Sequence, residues 1–220
     1  MKSKAERLEA FKKIDLYPVT DSTQSLGRSN DEVLKGLIAG GAKIVQLREK
    51  QLSKKELLFM AQKFRERTQE AGMLLFINDH LDIALAVGAD GVHLGQDDLP
   101  LEYARRLAPE ILIGISTHSL SQALAAQAGG ADYINIGPIF PTGTKQTPMP
   151  PLGPEAISRI RPHLTIPFTV MGGINRDNIE QVLKAGARKV AVVTAVTKAP
   201  DITRATEELR ELIKSFALKD

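Results

Sequence analysis

Short apolar runs alternate along the chain with stretches of helical periodicity. Within the intervening stretches, such as residues 55–69 and 176–186, apolar positions recur every three or four residues, as on one face of a helix. The apolar runs are strand-like and number eight, at residues 14–19, 40–47, 73–78, 87–95, 111–116, 129–137, 166–173 and 184–193. Regular alternation of this kind predicts a parallel sheet covered by helices.

A Gly-Ala pair marks four of the predicted joints between a helix and the next strand. The glycines are Gly41, Gly88, Gly130 and Gly186. Each fits the end of a helix, where the backbone turns to positive φ and a Cβ would clash. Eight strand–helix units in 220 residues predict one α/β domain over residues 1–220, a (β/α)8 TIM barrel. An open doubly wound sheet is the alternative, but no G-x-G-x-x-G follows the first run.

Composition narrows the range of partners. The net charge is +3, and the basic residues are spread along the chain beside acidic ones, so we expect no nucleic-acid surface. No apolar run approaches the ~18 residues of a membrane span, so we expect no membrane partner. Residues 1–13 read as a short amphipathic helix that caps the domain, without the apolar core of a signal peptide. Together with the lack of cysteine, these features favour a cytoplasmic protein with small anionic substrates.

In a barrel of this kind the chemistry lies on the loops after the strands. The second strand ends in Gln46, Arg48 and Lys50, which alternate with apolar residues and therefore share the side that faces the barrel mouth. A buried guanidinium without a partner is costly. Arg48 is therefore expected to meet either a substrate anion or a structural partner such as Glu49 or another acid.

Two carboxylates follow neighbouring strands. Asp79 comes directly after the third strand, and Asp98 follows the fourth. Carboxylates placed in this way can share a Mg²⁺ ion, which takes few protein oxygens and keeps positions for phosphate. The alternative is that each aspartate only caps a helix, Asp98 the one near Pro100.

The fifth strand ends in a cluster of small polar residues. Ser116 is expected at the rim of the barrel, and Ser119 at the N-cap of the next helix. His118 is either a base or, as we favour, a loop histidine. His93 alternates inward on the fourth strand, where a hydrogen-bonded core histidine is the expected role.

The last three strands carry features of an anion site. Residues 137–151 hold five prolines and three threonines, and Thr142, Thr144 and Lys145 can close over phosphate oxygens from this stiff loop. Gly172 and Gly173 admit a ligand close to backbone N–H groups, although a tight turn before a helix capped by Asn175 is the alternative. Thr194 falls where barrels of this fold bind phosphate.

Taken together, these motifs resemble one family. The segments are LYPVTD (16–21), VQLREK (45–50), INDHLDIALAVGADGVHLGQDDLP (77–100), GISTHS (114–119), GPIFPTGTK (137–145), PPLG (150–153) and GGIN (172–175). As a set they are similar to thiamine-phosphate synthase over residues 14–197. The resemblance implies a TIM barrel that joins 4-amino-5-hydroxymethyl-2-methylpyrimidine diphosphate to a thiazole phosphate. The products would be thiamine phosphate and pyrophosphate, formed with Mg²⁺ by a dissociative mechanism.

The resemblance also implies site residues. Asp79 and Asp98 would bind Mg²⁺, and Ser116, Lys145 and Arg48 would act in catalysis. The residues that would bind the two substrates are Gln46, Arg48, Lys50, Asn78, Ser116, Thr142, Thr144, Lys145, Gly173, Val193 and Thr194. Two departures from the family pattern are Thr194, where serine is expected, and Met171, where a smaller residue is expected.

Two other functions are compatible with the same scaffold. A thiazole tautomerase would depend on His118 rather than on the two aspartates, and a non-catalytic sensor of phosphorylated ligands would need no metal. The retained aspartates, Arg48, Lys50 and the threonine–lysine segment favour the synthase. The family also implies a homodimer, and residues 146–148 are a candidate lid.

Overall fold

The computed structural model describes residues 2–144 and 150–217. Within these residues the strands are β1 (Leu16–Pro18), β2 (Ile44–Leu47), β3 (Leu74–Asn78), β4 (Gly91–Leu94), β5 (Leu112–Thr117), β6 (Tyr133–Ile136), β7 (Phe168–Val170) and β8 (Val190–Val192). The α-helices are α1 (Lys4–Lys12), α2 (Asn30–Ala39), α3 (Lys54–Glu70), α4 (Leu81–Ala86), α5 (Leu101–Leu107), α6 (Leu120–Ala128), α7 (Glu155–Ile160), α8 (Ile179–Lys184), α9 (Thr194–Thr197) and α10 (Ile202–Ala217). The predicted alternation, with its short N-terminal helix, is confirmed.

The strands form one parallel sheet that curls into a nearly closed barrel. Their order is β1-β8-β7-β6-β5-β4-β3-β2, so consecutive strands are neighbours and β1 returns to β8. The remaining seam, between β1 and β2, is closed by a parallel bridge between Val19 and Gln46. The TIM barrel is therefore confirmed over the open doubly wound sheet. None of the helices in the described part of the chain is both long and apolar enough to cross a membrane.

Alternation along the strands divides the apolar side chains between two clusters. Val45 and Leu47 of β2 face outward into the layer between strands and helices. Ile44 of the same strand faces the barrel interior, where it joins an inner cluster of Phe11, Ile14, Tyr17, Leu74, Phe76, Leu112, Tyr133 and Ala191. The period of two that we inferred for β2 thus sends Gln46, which follows Ile44 by two residues, inward as well.

The predicted glycine joints are confirmed. Gly41, Gly88, Gly130 and Gly186 all have positive φ, between +62° and +100°. Each follows a helix at the point where the chain enters the next strand, which is the conformation that favours glycine.

The N-terminal helix α1 closes the lower end of the barrel. Its Phe11 is fully buried, with its ring centroid 4.3 Å from that of Tyr133. Arg7, also on α1, pairs with Asp90, which in turn accepts a hydrogen bond from the Leu75 amide at 3.0 Å. Asp132 has the equivalent role two strand–helix units later, where it accepts a hydrogen bond from the Ile113 amide at 2.8 Å. The bottom of the barrel is therefore sealed by packing and ion pairs, and the opposite end is left open.

We expect Phe11→Ala to lower the free energy of unfolding by about 3–5 kcal/mol, because it removes a fully buried ring and leaves a cavity inside the barrel. Urea unfolding followed by circular dichroism measures the change. Phe59→Ala is the matched control, since that ring is 53% exposed, and its cost should stay near 0.5 kcal/mol. Equal, small losses in both variants would contradict the proposed closure by α1.

Candidate active site

A cavity of about 340 Å³ opens at the carboxyl ends of the strands. It is lined by residues at or just after the carboxyl ends of the eight strands, so the whole barrel rim contributes to it. The predicted site residues that the structure describes all line this cavity: Gln46, Arg48, Lys50, Asn78, Asp79, Asp98, Ser116, Thr142, Thr144, Gly173, Val193 and Thr194. Lys145 and the candidate lid at residues 146–148 lie outside the described residues.

Arg48 is held by an acid from the neighbouring loop. Its guanidinium pairs with Asp21, a largely buried carboxylate that follows β1 and also accepts a hydrogen bond from the Thr23 amide at 3.0 Å. Of the two structural alternatives, Glu49 or another acid, the second is confirmed by Asp21. Glu49 bonds Ser22 and Asn30 instead, at 2.7–2.9 Å. Arg48 is thus pre-oriented at the cavity wall.

Asp79 and Asp98 come together at one side of the cavity. Asp79 forms an ion pair with Lys50 and has a φ of +61°, in the left-handed region. Asp98 accepts a hydrogen bond from the Gly95 amide at 2.6 Å. Burial, together with the neighbouring Asp79 carboxyl, raises the pKa of Asp98 above its ordinary value. The two acidic groups are therefore held in contact, and the Asp79 carboxyl makes Asp98 harder to ionise.

Neither aspartate caps a helix. His80 occupies the N-cap of α4 and Pro100 that of α5, and neither position has a side-chain capping bond. The capping alternative for Asp79 and Asp98 is therefore wrong. A left-handed aspartate costs roughly 1–2 kcal/mol, and conformations of this kind cluster at ligand sites.

The pair meets the requirements of a divalent cation. A cation between the carboxylates would offset both causes of the raised pKa of Asp98, its burial and the neighbouring Asp79 carboxyl. Within the described residues, no three His, Cys, Asp or Glu side chains form a closed metal cluster. Two protein carboxylates with the remaining positions left to water and phosphate is the arrangement that suits Mg²⁺.

Ser116 and the two histidines lie on the next strands. His93 Nε2 is 2.9 Å from Ser116 Oγ, and its Nδ1 is 2.8 Å from Tyr133 Oη. The expectation of a hydrogen-bonded core histidine is confirmed. His118 Nδ1 donates to the Gly137 carbonyl at 2.5 Å, and Ser119 caps α6 as predicted.

The Gly172–Gly173 pair lines the cavity and also has a local structural reason. Both glycines have positive φ, at +109° and +63°. A Cβ at Gly172 would meet Pro138 at 2.6 Å, and one at Gly173 would meet the loop at Phe140. The glycines thus let β7 approach the loop after β6, which begins with a cis bond before Pro138. Asn175 is not the cap of α8, because Asn178 occupies that position.

The far side of the cavity carries hydroxyls. Thr142 Oγ1 accepts the Thr144 amide at 3.2 Å, so the start of the proline-rich loop is folded back on itself. Thr194 is the first residue of α9, the short helix after β8. In the barrel order, β6 to β8 lie opposite β2 to β4. The cations and acids therefore face a hydroxyl-lined wall across the mouth.

Several polar residues of the site were missed from the sequence, including Gln96 and Asp97, which line the cavity after β4. Asn135 lines the cavity from β6 and accepts a hydrogen bond from Thr169 at 2.9 Å. Strand alternation could have found it, since Tyr133 and Asn135 share the inward side. Asp21 could not have been assigned to Arg48 by spacing, because the two lie on separate strand ends.

Comparison with known proteins gives consistent matches. The family model "Thiamine monophosphate synthase" matches residues 16–196. The thiamine-phosphate synthase of Chloroflexus aurantiacus is 48% identical over 90% of this chain and 92% of its own, and that of Caldicellulosiruptor saccharolyticus is 43% identical over 97% of both. The structure of a thiamine phosphate pyrophosphorylase from Pyrococcus furiosus superimposes with a TM-score of 0.85 at 38% identity, covering 92% of this chain and 96% of that one.

The Asp79–Asp98 contact generates a stability prediction for the metal-free protein. The pKa of Asp98 is raised in the folded state. Its contribution to the stability of the fold is therefore fully present below the pKa of the unfolded state and is lost as the pH rises through the pKa of the folded state. At pH 7 we therefore expect Asp98→Asn to raise the melting temperature. The gap should close as the pH is lowered toward 4.

Asp97→Asn is the control, since Asp97 is exposed and adjacent. Melting curves at a series of pH values, recorded with chelator, measure both variants. A lower melting temperature for Asp98→Asn at pH 7 would show that the repulsion is not a net cost in the folded protein.

Proposed function

The chain belongs to the thiamine monophosphate synthase family, and on that premise we propose that it acts as a thiamine-phosphate synthase at the rim cavity. It is then a transferase that joins 4-amino-5-hydroxymethyl-2-methylpyrimidine diphosphate to a thiazole phosphate, with release of pyrophosphate. The observation that carries the proposal is the two-sided mouth. Arg48, Lys50 and the aspartate pair stand on one wall, and the hydroxyls of β6 to β8 stand on the other.

The acidic and basic wall suits the pyrimidine diphosphate. Asp79 and Asp98 would hold Mg²⁺, which supplies positive charge to the diphosphate when bound. Arg48 and Lys50 would bind the phosphate oxygens, and Gln46 and Asn78 the pyrimidine. Arg48 is paired with Asp21 at the cavity wall, so its charge would already be oriented before the substrate enters.

The hydroxyl wall suits the thiazole phosphate. Thr142, Thr144 and Thr194 offer hydroxyl donors, and Gly173 and Val193 offer backbone at the same place. Each substrate would thus bind to its own wall, with the reacting atoms meeting above the centre of the barrel.

The proposed reaction is dissociative. The bond between the pyrimidine methylene carbon and the diphosphate oxygen breaks first, and both electrons leave with pyrophosphate. The thiazole nitrogen then attacks the methylene cation with its lone pair. Arg48 and Lys145 would stabilise the charge that builds on the leaving group, and Ser116 would lie beside the pyrimidine and the path of the pyrophosphate. No side-chain nucleophile is needed.

The relatives favour this function over the two alternatives. They are named as synthases at 41–48% identity, whereas a tautomerase or a sensor would have no use for the Asp79–Asp98 contact.

We also propose a cytoplasmic homodimer. Two exposed leucines support a subunit contact, Leu99 just before α5 and Leu107 at its last residue. Sedimentation velocity would detect a monomer if that proposal is wrong.

The metal role is tested by pyrophosphate release from purified protein. We expect release to require Mg²⁺ and to stop with chelator, and we expect Asp79→Asn and Asp98→Asn to shift the Mg²⁺ dependence to higher concentration. The charge count of the site falls by one in each variant, which weakens cation binding. Asp177→Asn, which changes an exposed carboxylate outside the cavity, should behave as wild type. Undiminished release in chelator would refute the metal role.

Lys145→Ala tests the leaving-group role. Loss of one donor to developing charge costs about 3 kcal/mol of barrier, so turnover should fall roughly 100-fold. The KM for the thiazole phosphate should change little, because the effect falls on the pyrophosphate. Lys63→Ala, on the exposed face of α3, is the control. Turnover equal to wild type would remove Lys145 from the mechanism.

A further inference from the structure

A chain of hydrogen bonds crosses the interior of the barrel and joins two residues of the cavity. Gln46 Nε2 donates to Tyr17 Oη at 3.0 Å, and Tyr17 Oη lies 3.1 Å from Tyr133 Oη. Tyr133 Oη is 2.8 Å from His93 Nδ1, and His93 Nε2 is 2.9 Å from Ser116 Oγ. Five strands, β1, β2, β4, β5 and β6, contribute one member each.

The two tyrosines of this hydrogen-bond chain do not line the cavity. Tyr17 and Tyr133 are 1% and 0% exposed and belong to the inner apolar cluster. Gln46 and Ser116, at the ends, do line the cavity. The tyrosines therefore contact no ligand directly, and any influence on the site passes through their neighbours.

Packing alone does not explain the two phenolic hydroxyls. The Tyr133 ring fills the space above Gly114, where a Cβ would collide with it, and it contacts the Phe11 and Phe76 rings. A phenylalanine ring would make the same contacts. A buried hydroxyl is costly unless it is hydrogen-bonded, so its presence inside an apolar cluster points to the polar chain.

The direction of each hydrogen bond in this hydrogen-bond chain follows from Gln46, its first member. The Gln46 amide nitrogen only donates, so Tyr17 Oη accepts there and sends its own hydrogen to Tyr133. The reverse order would leave the buried Tyr17 hydrogen without an acceptor among the described residues. Tyr133 then donates to His93 Nδ1, and His93 Nε2–H donates to Ser116. Burial raises the pKa of both tyrosines, so each keeps its one hydrogen.

This order determines what the cavity offers at each end of the chain. Ser116 accepts from His93, which leaves its hydroxyl hydrogen for a ligand. Gln46 donates to Tyr17, which leaves Oε1 as an acceptor. An aminopyrimidine presents both a ring-nitrogen acceptor and an amine donor, so a fixed donor and a fixed acceptor complement it.

We propose that Tyr133 and Tyr17 are positioning residues for the pyrimidine diphosphate, which hold Ser116 as a donor through His93 and Gln46 as an acceptor. This inference rests on the proposed synthase function. It places the specificity for one substrate partly inside the barrel core, at residues that touch neither substrate.

Steady-state kinetics of Tyr133→Phe test the proposal, because that change deletes one oxygen and keeps the ring. We expect kcat/KM for the pyrimidine diphosphate to fall about three- to tenfold, the range for one lost hydrogen bond. The KM for the thiazole phosphate should stay within about twofold of wild type, since its wall is not part of the chain. Tyr103→Phe, which removes the hydroxyl of a half-exposed tyrosine on α5, should behave as wild type.

A double-mutant cycle with Ser116 distinguishes a positioning role of Tyr133 from a general loss of stability. If Tyr133 acts through Ser116, adding Tyr133→Phe to Ser116→Ala should cause little further loss. Losses that multiply, or equal effects on both substrates, would overturn the proposal. Tyr17→Phe, the next link, carries the same test if Tyr133→Phe does not melt cooperatively. Wild-type protein in the same assay separates failure of the proposed function from failure of this inference. If the wild type releases no pyrophosphate, the synthase function is refuted. If the wild type is active and the tyrosine variants are unaffected, only the positioning role of the tyrosines is refuted.

Discussion

The mouth of the barrel depends on the way the sheet closes between β1 and β2. The seam has a single bridge, Val19 to Gln46, reinforced by a hydrogen bond from the Thr20 amide to the Gln46 carbonyl at 2.9 Å. Just above it, the Arg48 amide donates to Thr20 Oγ1 at 3.3 Å, and the Arg48 side chain pairs with Asp21. The residues that close the barrel are thus the ones that place Gln46 and Arg48 at the site. A TIM barrel brings its strand ends to one face, and here the seam that closes the sheet carries part of the polar chemistry.

Two features of the same rim are unfavourable for stability and are explained by a ligand site. Asp79 adopts a left-handed conformation, and its carboxyl raises the pKa of the neighbouring Asp98. By contrast, acids at the sealed end are matched to cations: Asp90 contacts Arg7 and Arg65, and Asp132 contacts Lys4 and Arg105. The open end thus has local strain and a contact between two acids, whereas the sealed end has charges that are paired. This distribution is expected when only one end of the barrel binds ligands.

Local patterns were sufficient for the architecture and for most of the cavity lining. Alternation along β2 placed Gln46 inward, and the Gly-Ala joints located helix ends that have positive φ. Contacts between distant segments were not accessible in that way. The Asp21 partner of Arg48 and the Tyr17–Tyr133 bond join residues whose separation along the chain carries no spacing signal. The glycine pair at Gly172 was found for an incomplete reason, since the approach of the β6 loop is visible only in three dimensions.

The central claim is that the two walls of the cavity bring two phosphorylated substrates together for one bond-forming step. Its most direct test is the ratio of thiamine phosphate to pyrophosphate formed by the purified protein, with both products quantified by mass spectrometry in the same reaction. The account predicts one of each per turnover, and neither product when the thiazole phosphate or Mg²⁺ is omitted. Pyrophosphate formed at an undiminished rate without the thiazole phosphate, or without matching thiamine phosphate, would contradict it.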